Sequence, residues 1–274
     1  MNSTQTSKGL RLYELHQRPD VLLIANPWDA GSARLLAKLS FEALATSSAA
    51  AAGVLGRRDG KISRAEALAH CRAVVEAVEL PVSGDLENGF ADSPADVAET
   101  IRLAAEAGLV GCSIEDSGGN QHPPLYEISL ATERIAAAVA AARALPFRFT
   151  LTARAENFVR GKPDLEDTIR RLQAYERAGA DVLFAPALPT LEAVRQVCAA
   201  VSKPVNFMAG VRGKSFTVTE LVTAGVRRIS FGLSFYRAAM NGLMTAATEA
   251  KASGTFTTME KAMTSAELAQ FFTD

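Results

Sequence analysis

Charged side chains stand directly after short apolar runs at three points in the sequence. Asp85 and Glu87 follow one run, Glu115 and Asp116 close the next, and Arg154 ends a third. Carboxylates grouped with one arginine are typical of a site that holds a hard, oxygen-ligated cation beside an anionic substrate. The residue types alone therefore predict metal-assisted chemistry on a carboxylic acid.

Other polar side chains also stand at the ends of apolar runs. They are Asn26, Asp29, Thr46, Ser47, Ser48, Glu156, Asn157 and Asn206. Their carboxylate, hydroxyl and amide groups offer hydrogen-bond partners to a small polar ligand. Trp28, the only tryptophan, has two interpretations: it lines the wall of the pocket, or it packs beneath the mouth of the fold.

A repeated junction indicates which elements would position these groups. Ala107-Gly108, Ala178-Gly179 and Ala224-Gly225 each end an apolar helical pattern and precede a short β-rich run. Glycine there is expected because it adopts the left-handed conformation that commonly ends a helix. Ser63-x-x-Glu66 and Thr217-x-x-Glu220 have the spacing of capping boxes, which begin helices. Helices alternating with strands predict a parallel sheet with right-handed crossovers.

Eight strand candidates can be counted along the chain. They cover residues 21–25, 43–47, 82–85, 111–115, 150–154, 182–186, 205–208 and 228–231. Several are almost continuously apolar, as strands buried on both faces should be. Eight such units favour a (β/α)8 TIM barrel over an open doubly wound sheet, whose G-x-G-x-x-G motif is absent after the first strand. In a barrel, the active site lies at the C-terminal ends of the strands.

The barrel is expected to form a single domain over residues 1–274. An N-terminal helix or arm would cover residues 1–18, and a helical tail would cover residues 252–274. A net charge of -1 gives no basic surface for nucleic acid or an anionic membrane. Three widely spaced cysteines indicate neither a disulfide framework nor a zinc site. Because the N-terminus also lacks the apolar segment of a secretory signal, we expect a cytoplasmic protein.

Four motifs together resemble the isocitrate lyase/phosphoenolpyruvate mutase superfamily. They are Phe41-Glu-Ala-Leu-Ala-Thr-Ser-Ser, Gly84-Asp-Leu-Glu-Asn-Gly-Phe, Gly111-Cys-Ser-Ile-Glu-Asp and Thr152-Ala-Arg-Ala-Glu. The order and spacing are similar to the superfamily from about residue 24 to residue 237. The resemblance implies a (β/α)8 barrel that binds Mg²⁺, or Mn²⁺, and an enolate of a 2-oxo acid as intermediate. It also implies a homodimer or homotetramer in which the eighth helix is exchanged between subunits.

The resemblance implies a metal site made of carboxylates. Asp85 is similar in position to the direct magnesium ligand, and Asp59, Glu87 and Glu115 are similar to the acidic residues that hold the metal's waters. Glu87 stands where the superfamily commonly has the second aspartate of a D-x-D-x-G motif. Its additional methylene group would alter the water shell without abolishing it.

The resemblance also implies the residues that contact the substrate. Ser47 and Ser48, with Ala49, match the segment that holds the substrate carboxylate or enolate oxygen, and Thr46 and Trp28 join this predicted set. Arg154 resembles the substrate-binding arginine, Arg237 resembles a second arginine of the lyases, and Asn206 is similar to a substrate-facing position in some lyases. Mg²⁺ would polarise the 2-oxo oxygen, and Arg154 would neutralise and orient a carboxylate.

The loop after the fourth strand departs from the superfamily pattern. Lyases carry Lys-Lys-Cys-Gly-His there, and mutases carry a lysine- and asparagine-bearing version, but residues 117–126 read SGGNQHPPLY. His122, Asn120 and Tyr126 are the candidate proton donors, and His122 joins Arg154, Glu115 and Ser47 as a predicted catalytic residue.

The predicted function is that of a carbon–carbon lyase or decarboxylase acting on a 2-oxo acid or a related di- or tricarboxylate. One alternative is an enzyme of phosphonopyruvate or phosphoenolpyruvate type that works on a C–P bond. A second is a magnesium-dependent aldolase that forms the C–C bond in the condensation direction, and a third is a non-catalytic 2-oxo acid sensor that keeps the pocket.

Overall fold

The structure is a computed structural model that describes residues 3–118, 124–214 and 216–272. The strands are β1 (Leu22–Ile24), β2 (Leu44–Ala45), β3 (Val82–Asp85), β4 (Gly111–Glu115), β5 (Thr150–Arg154), β6 (Val182–Phe184), β7 (Val205–Met208) and β8 (Arg228–Ser230). The helices before β5 are α1 (Ser3–Gln17), α2 (Ala30–Lys38), α3 (Ser48–Val54), α4 (Arg64–Ala77), α5 (Pro94–Glu106) and α6 (Ile128–Ala144). The helices after β5 are α7 (Leu165–Arg177), α8 (Leu191–Ala200), α9 (Val218–Thr223), α10 (Ser234–Ser253), α11 (Thr257–Glu260) and α12 (Ser265–Ala269).

The eight strands form one parallel sheet that closes on itself. Each strand pairs with its neighbour in chain order from β2 to β8, and β1 pairs with β8. A parallel bridge between Ala25 and Leu44 joins the two remaining edges, and the Ala45 amide donates a 2.8 Å hydrogen bond to the Ala25 carbonyl. The predicted (β/α)8 barrel is therefore confirmed.

The predicted strand bounds agree with the structure most closely in the middle of the chain. β3, β4, β5 and β7 have the predicted residues, whereas β1, β2, β6 and β8 are shorter than predicted. The largest difference is at β2, which was predicted to run to Ser47 and ends at Ala45. Ser47 instead caps α3, because its side chain accepts a hydrogen bond from the Ala50 amide. A polar residue at a strand end thus serves the next helix rather than the sheet.

The predicted helix boundaries have the expected local geometry. Gly108, Gly179 and Gly225 have φ angles of 91°, 99° and 101°, which place them in the left-handed region after α5, α7 and α9. Capping boxes begin α4 at Ser63 and α9 at Thr217. These short-range signals determine where the helices begin and end.

Helix α1 covers the N-terminal end of the barrel, opposite the predicted site. Its Leu12 and Leu15 are buried with apolar side chains of the first strands, namely Leu22, Ile24, Ala43, Ala45 and Val110. His16 also lies inward, only 6% exposed, and its Nδ1 donates to the Leu12 carbonyl at 2.7 Å. Burial and the charge of Arg228 lower the pKa of His16 to about 3.

We expect His16 to make the stability of the fold depend on pH. Because its pKa is lower in the folded chain than in the unfolded chain, the unfolded chain takes up the proton first as the pH falls. The contribution to the free energy of unfolding is fully present above about pH 6.5 and is lost progressively towards pH 3. Between pH 7.5 and pH 5, the free energy of unfolding of the wild type, measured in urea, should fall by about 2 kcal/mol more than that of His16→Gln. Equal losses in the two proteins would contradict this role.

The C-terminal helices carry bulky apolar side chains on their surface. Leu243, Met244 and Phe256 are more than half exposed. None of the helices in residues 3–118, 124–214 and 216–272 is long and apolar enough to cross a membrane. The predicted exchange of the eighth helix between subunits stays a prediction.

Candidate active site

Two connected cavities lie at the C-terminal ends of the strands. The inner cavity has a volume of about 200 Å³ and extends into the barrel, where Asp85, Asn206 and Arg228 are part of its lining. The outer cavity, of about 1080 Å³, is lined in part by Glu87 and Glu115. The two cavities share Ser48, Asp59, Val159 and Arg154. The strand ends therefore bring the predicted acidic residues and several of the predicted substrate-binding residues to one place.

Asp85 ends β3 and is held by neighbours on three sides. Its Oδ2 accepts a hydrogen bond from the Ser48 amide at 3.1 Å, and its Oδ1 accepts from the Ser113 hydroxyl at 3.3 Å and from Arg154 Nη1 at 3.0 Å. The Asp85 amide donates to the Thr46 hydroxyl at 2.9 Å. These contacts fix the orientation of a carboxylate whose oxygens have further lone pairs for a ligand in the cavity.

Arg154 is the centre of the charged cluster. Its guanidinium forms ion pairs with Asp85 at 3.0 Å, Glu115 at 3.2 Å and Glu156 at 2.9 Å. It also lies 5.1 Å from the centre of the Phe184 ring. Burial lowers the pKa of Arg154, but the three carboxylates together raise it above its ordinary value. Arg154 therefore stays charged and is fixed in position.

Glu115 and Glu156 are buried carboxylates that share a second arginine. Arg160 lies 3.2 Å from Glu115 and 3.9 Å from Glu156. Burial and the charge of Glu156 nevertheless raise the pKa of Glu115 well above its ordinary value. Burial likewise raises the pKa of Glu156. The cluster contains enough negative charge that it would hold additional positive charge favourably.

Glu87 and Asp59 are acidic side chains that line the cavities without a described arginine or lysine paired to them. Glu87 has a φ angle of 49°, and its buried Oε1 has no hydrogen-bond partner among the described residues. Burial and the charges of Asp85 and Asp59 raise the pKa of Glu87 to about 7. Burial and the charge of Asp85 also raise the pKa of Asp59.

These carboxylates fit a hydrated cation better than a directly ligated one. Within the described ranges, no three Asp, Glu, His or Cys side chains lie close enough to ligate one metal ion together. Mg²⁺ usually keeps several of its waters and binds through only one or two carboxylates. The unpartnered oxygen of Glu87 and the mutual repulsion of Asp59, Asp85 and Glu87 fit such an ion.

The serine segment lies beside Asp85. Ser47 and Ser48 line the inner cavity where β2 leads into α3. The Ser47 hydroxyl accepts from the Ala50 amide at 3.4 Å, which leaves its own proton to donate. Thr46 has a supporting role, since its hydroxyl accepts from the Asp85 amide and lies 3.7 Å from Cys71 Sγ.

Three further predicted substrate-binding residues have different positions. Asn206 lines the inner cavity and is only 2% exposed, with its Nδ2 donating to the Ser230 hydroxyl at 2.9 Å. Trp28 packs edge-on against Tyr236 at a ring distance of 5.7 Å. Arg237 is exposed on α10. Neither Trp28 nor Arg237 is among the described residues that line the two cavities.

Of the candidate proton donors in the loop after β4, only Tyr126 lies among the described residues. His122 and Asn120 lie outside the described residues. Tyr126 is buried, donating its hydroxyl proton to Asp92 at 2.5 Å and accepting from Asn88 Nδ2 at 2.9 Å. Burial and the contact with Asp92 raise the pKa of Tyr126. These contacts make Tyr126 a support for the segment after β3.

Several supporting contacts were not predicted from the sequence. Arg134 is fully buried and donates to the backbone carbonyls of residues 88, 91, 92 and 115, so that it holds the segment after β3 against β4. Asp116 accepts from Tyr175 at 2.5 Å and from Arg171 at 3.1 Å. The i,i+4 spacing of Asp167 and Arg171 on α7 is a signal that the sequence contained for this network.

The fold and the charged strand ends define an enzyme of the (β/α)8-barrel class, and comparison with known proteins names its family. The profile of the phosphoenolpyruvate phosphomutase family matches residues 12–251. The chain therefore belongs to this family, within the phosphoenolpyruvate mutase/isocitrate lyase superfamily. The resemblance seen in the four sequence motifs is confirmed.

The relatives include proteins that act on carboxylic acids. A 2-methylisocitrate lyase from Aeropyrum pernix is 30% identical over 90% of this chain and 81% of its own. An oxaloacetate decarboxylase from Paraburkholderia xenovorans is 31% identical over 87% of this chain and 80% of its own. A solved structure from Burkholderia cenocepacia J2315, described as a candidate lyase/mutase, is 49% identical with a TM-score of 0.97, over 100% of this chain and 98% of its own. These relatives confirm the prediction that the chain is an enzyme of the carbon–carbon lyase class.

Proposed function

We propose that this chain is a magnesium-dependent lyase or decarboxylase that acts on a 2-oxo acid or a related di- or tricarboxylate. It cleaves the C–C bond that joins the carbon adjacent to the oxo group to the departing fragment. The observation that carries the proposal is the convergence of Asp85 and Glu115 on Arg154, from three neighbouring strands, where the inner and outer cavities adjoin. The names of the relatives support the substrate class. Mn²⁺ is the alternative cation, because it accepts the same oxygen ligands.

The metal would be held by Asp85 directly and by Glu87, Glu115 and Asp59 through waters. When bound there, Mg²⁺ supplies a Lewis acid that polarises the 2-oxo oxygen. Glu115 and Glu87 would accept hydrogen bonds from the waters. The contacts of Asp85 with Ser48 and Ser113 keep its carboxylate facing the cavity.

Substrate orientation would rest on Arg154 and the serine segment. Arg154 carries a fixed positive charge and would bind a substrate carboxylate, so that the bond to be cleaved is aligned with the oxo group. Cleavage releases the other fragment as CO2 or as a carbonyl compound and leaves the electron pair on the carbon next to the oxo group, where it is delocalised onto the 2-oxo oxygen as an enolate. The Ser47 hydroxyl would donate to that oxygen and stabilise its charge. A proton then has to reach the carbon, and we assign this step to His122.

A panel of candidate substrates tests the proposal. Oxaloacetate, methylisocitrate, isocitrate, 2,3-dimethylmalate and phosphonopyruvate would each be incubated with Mg²⁺ and with EDTA, and the 2-oxo products would be identified. We expect turnover of a C–C substrate with Mg²⁺ and its loss with EDTA. Turnover of phosphonopyruvate alone would replace the proposal with C–P chemistry. Metal-dependent binding without any turnover would favour the non-catalytic sensor. The sequence feature behind this alternative is the loop after β4, which has neither cysteine nor lysine.

Three general expectations accompany this function. We propose that the chain works as a single barrel domain, as a homodimer or homotetramer, in the cytoplasm. The three cysteines, which are free thiols in the structure, support a reducing compartment. The exposed apolar side chains of α10 and α11 support a subunit contact there. Size-exclusion chromatography with light scattering would measure the assembly, and a monomer would contradict it.

A further inference from the structure

The floor of the inner cavity carries an arginine that the proposed chemistry does not use. Arg228 is the first residue of β8 and is only 5% exposed. It stands in register with Asn206 on β7, and both residues line the same cavity as Asp85 and Arg154. The cavity thus leads from the charged cluster at the strand ends to a second guanidinium deeper in the barrel.

The two arginines of the cavity differ in how their charge is balanced. Arg154 has three carboxylates within 3.2 Å. The polar contact described for the Arg228 side chain is a 3.1 Å hydrogen bond from Nη1 to the Thr152 hydroxyl, and no described carboxylate forms an ion pair with it. Its buried Nε has no partner among the described residues. Arg228 is therefore a buried donor with unused hydrogen-bonding capacity.

No described carboxylate lies in direct contact with Arg228, and Asp85 acts on its charge only from a distance. Burial lowers the pKa of Arg228 to about 10, with a smaller opposing effect from Asp85, so the guanidinium remains charged at neutral pH. His16 cannot supply an opposite charge and stays neutral there. Asn206 has an equally buried Oδ1 without a partner, while its Nδ2 donates to Ser230.

A buried charge without a counter-ion is unfavourable, and an anionic ligand would remove that cost. The cavity of about 200 Å³ has room for more than one water, whose share of liquid volume is about 30 Å³. Guanidinium groups bind carboxylates through paired N–H donors, which matches the free donors of Arg228. The polar lining contributed by Thr152, Asn206 and Ser230 suits a charged group better than an apolar one.

We propose that Arg228 binds a second carboxylate of the substrate, so that the enzyme selects acids with two carboxylates over acids with one. The reacting end of the substrate would lie at Asp85 and Arg154, and the far carboxylate would point into the barrel towards Arg228. This assignment rests on the proposed function, because it names the substrate class of that same site. Arg228 is a specificity residue here, and the bond cleavage does not involve it.

Binding of two matched four-carbon acids tests the proposal without turnover. Succinate and butyrate differ in the second carboxylate, and the affinity of each would be measured by calorimetry with Mg²⁺ present. We expect the wild type to prefer succinate and Arg228→Met to lose succinate affinity by about 10- to 100-fold, the range for a hydrogen-bonded charged group. Butyrate affinity should change less than about threefold. Arg228→Lys should keep part of the preference, because it keeps the charge.

Arg227→Met is the matched control, since Arg227 is the preceding residue, is exposed and donates to the Pro19 carbonyl. It should leave the succinate preference unchanged. The melting temperature of the free protein is a second readout. Removing an unpaired buried charge should keep or raise it in Arg228→Met, whereas a purely structural arginine predicts a fall.

The outcomes separate this proposal from the function on which it rests. A wild type without a preference for succinate, or an Arg228→Met variant that keeps it, overturns the role of Arg228 even if the panel shows C–C cleavage. A preference that depends on Arg228 supports this role even if no substrate in the panel turns over. In that case only the catalytic proposal fails.

Discussion

Asp85→Asn is expected to lower kcat/KM for the reactive substrate by at least about 10³-fold. The substitution keeps the shape of the side chain and removes the negative charge that would ligate Mg²⁺. Loss of metal polarisation removes several kcal/mol of transition-state stabilisation, and each 1.36 kcal/mol is a factor of ten in rate. Steady-state kinetics over a range of Mg²⁺ concentrations would measure the loss and show whether saturating metal recovers part of it.

Asp96→Asn is the matched control, because Asp96 also lines the outer cavity but belongs to the first turn of α5 and contacts Ser93. Its kcat/KM should stay within about threefold of the wild type. Less than a tenfold loss in Asp85→Asn would show that Asp85 is not the direct ligand and would shift that role to another carboxylate of the cluster.

Arg154→Met should have the second largest effect, and it should act on stability and on activity together. The substitution removes the cation that Asp85, Glu115 and Glu156 share and leaves three carboxylates facing one another. Breaking a buried ion pair by removing one partner costs about 3–5 kcal/mol. Loss of the substrate-orienting charge should lower kcat/KM by about 10²- to 10³-fold in addition. Urea unfolding and steady-state kinetics would measure the two effects.

Divalent metal gives this prediction a sharper test. Because the three carboxylates would repel one another in Arg154→Met, Mg²⁺ should raise the melting temperature of the variant more than that of the wild type. Arg143→Met is the control, since Arg143 pairs with Asp181 at the surface and should contribute about 1 kcal/mol or less. If Mg²⁺ stabilises the wild type and Arg154→Met equally, Arg154 does not neutralise the metal-binding cluster.

Much of the fold was determined by signals that extend over a few residues. The glycines after α5, α7 and α9 and the capping boxes at Ser63 and Thr217 mark helix ends through local hydrogen bonds and φ angles. The apolar runs between them mark strands buried on both faces. Their alternation leaves few topologies other than a parallel barrel, and the barrel in turn brings the residues at the strand ends to one face. The general location of the site was therefore predictable.

The choice of partners within that site was decided by the tertiary structure. Asp85 and Arg154 are 69 positions apart, and their 3.0 Å contact depends on the register of β3, β4 and β5. The sequence pattern places both Arg154 and Arg228 in strands and does not show the charges around either one. The structure surrounds the first with carboxylates and leaves the second with one hydroxyl contact. Charge balance depends on distances across the barrel, and no short-range pattern contains those distances.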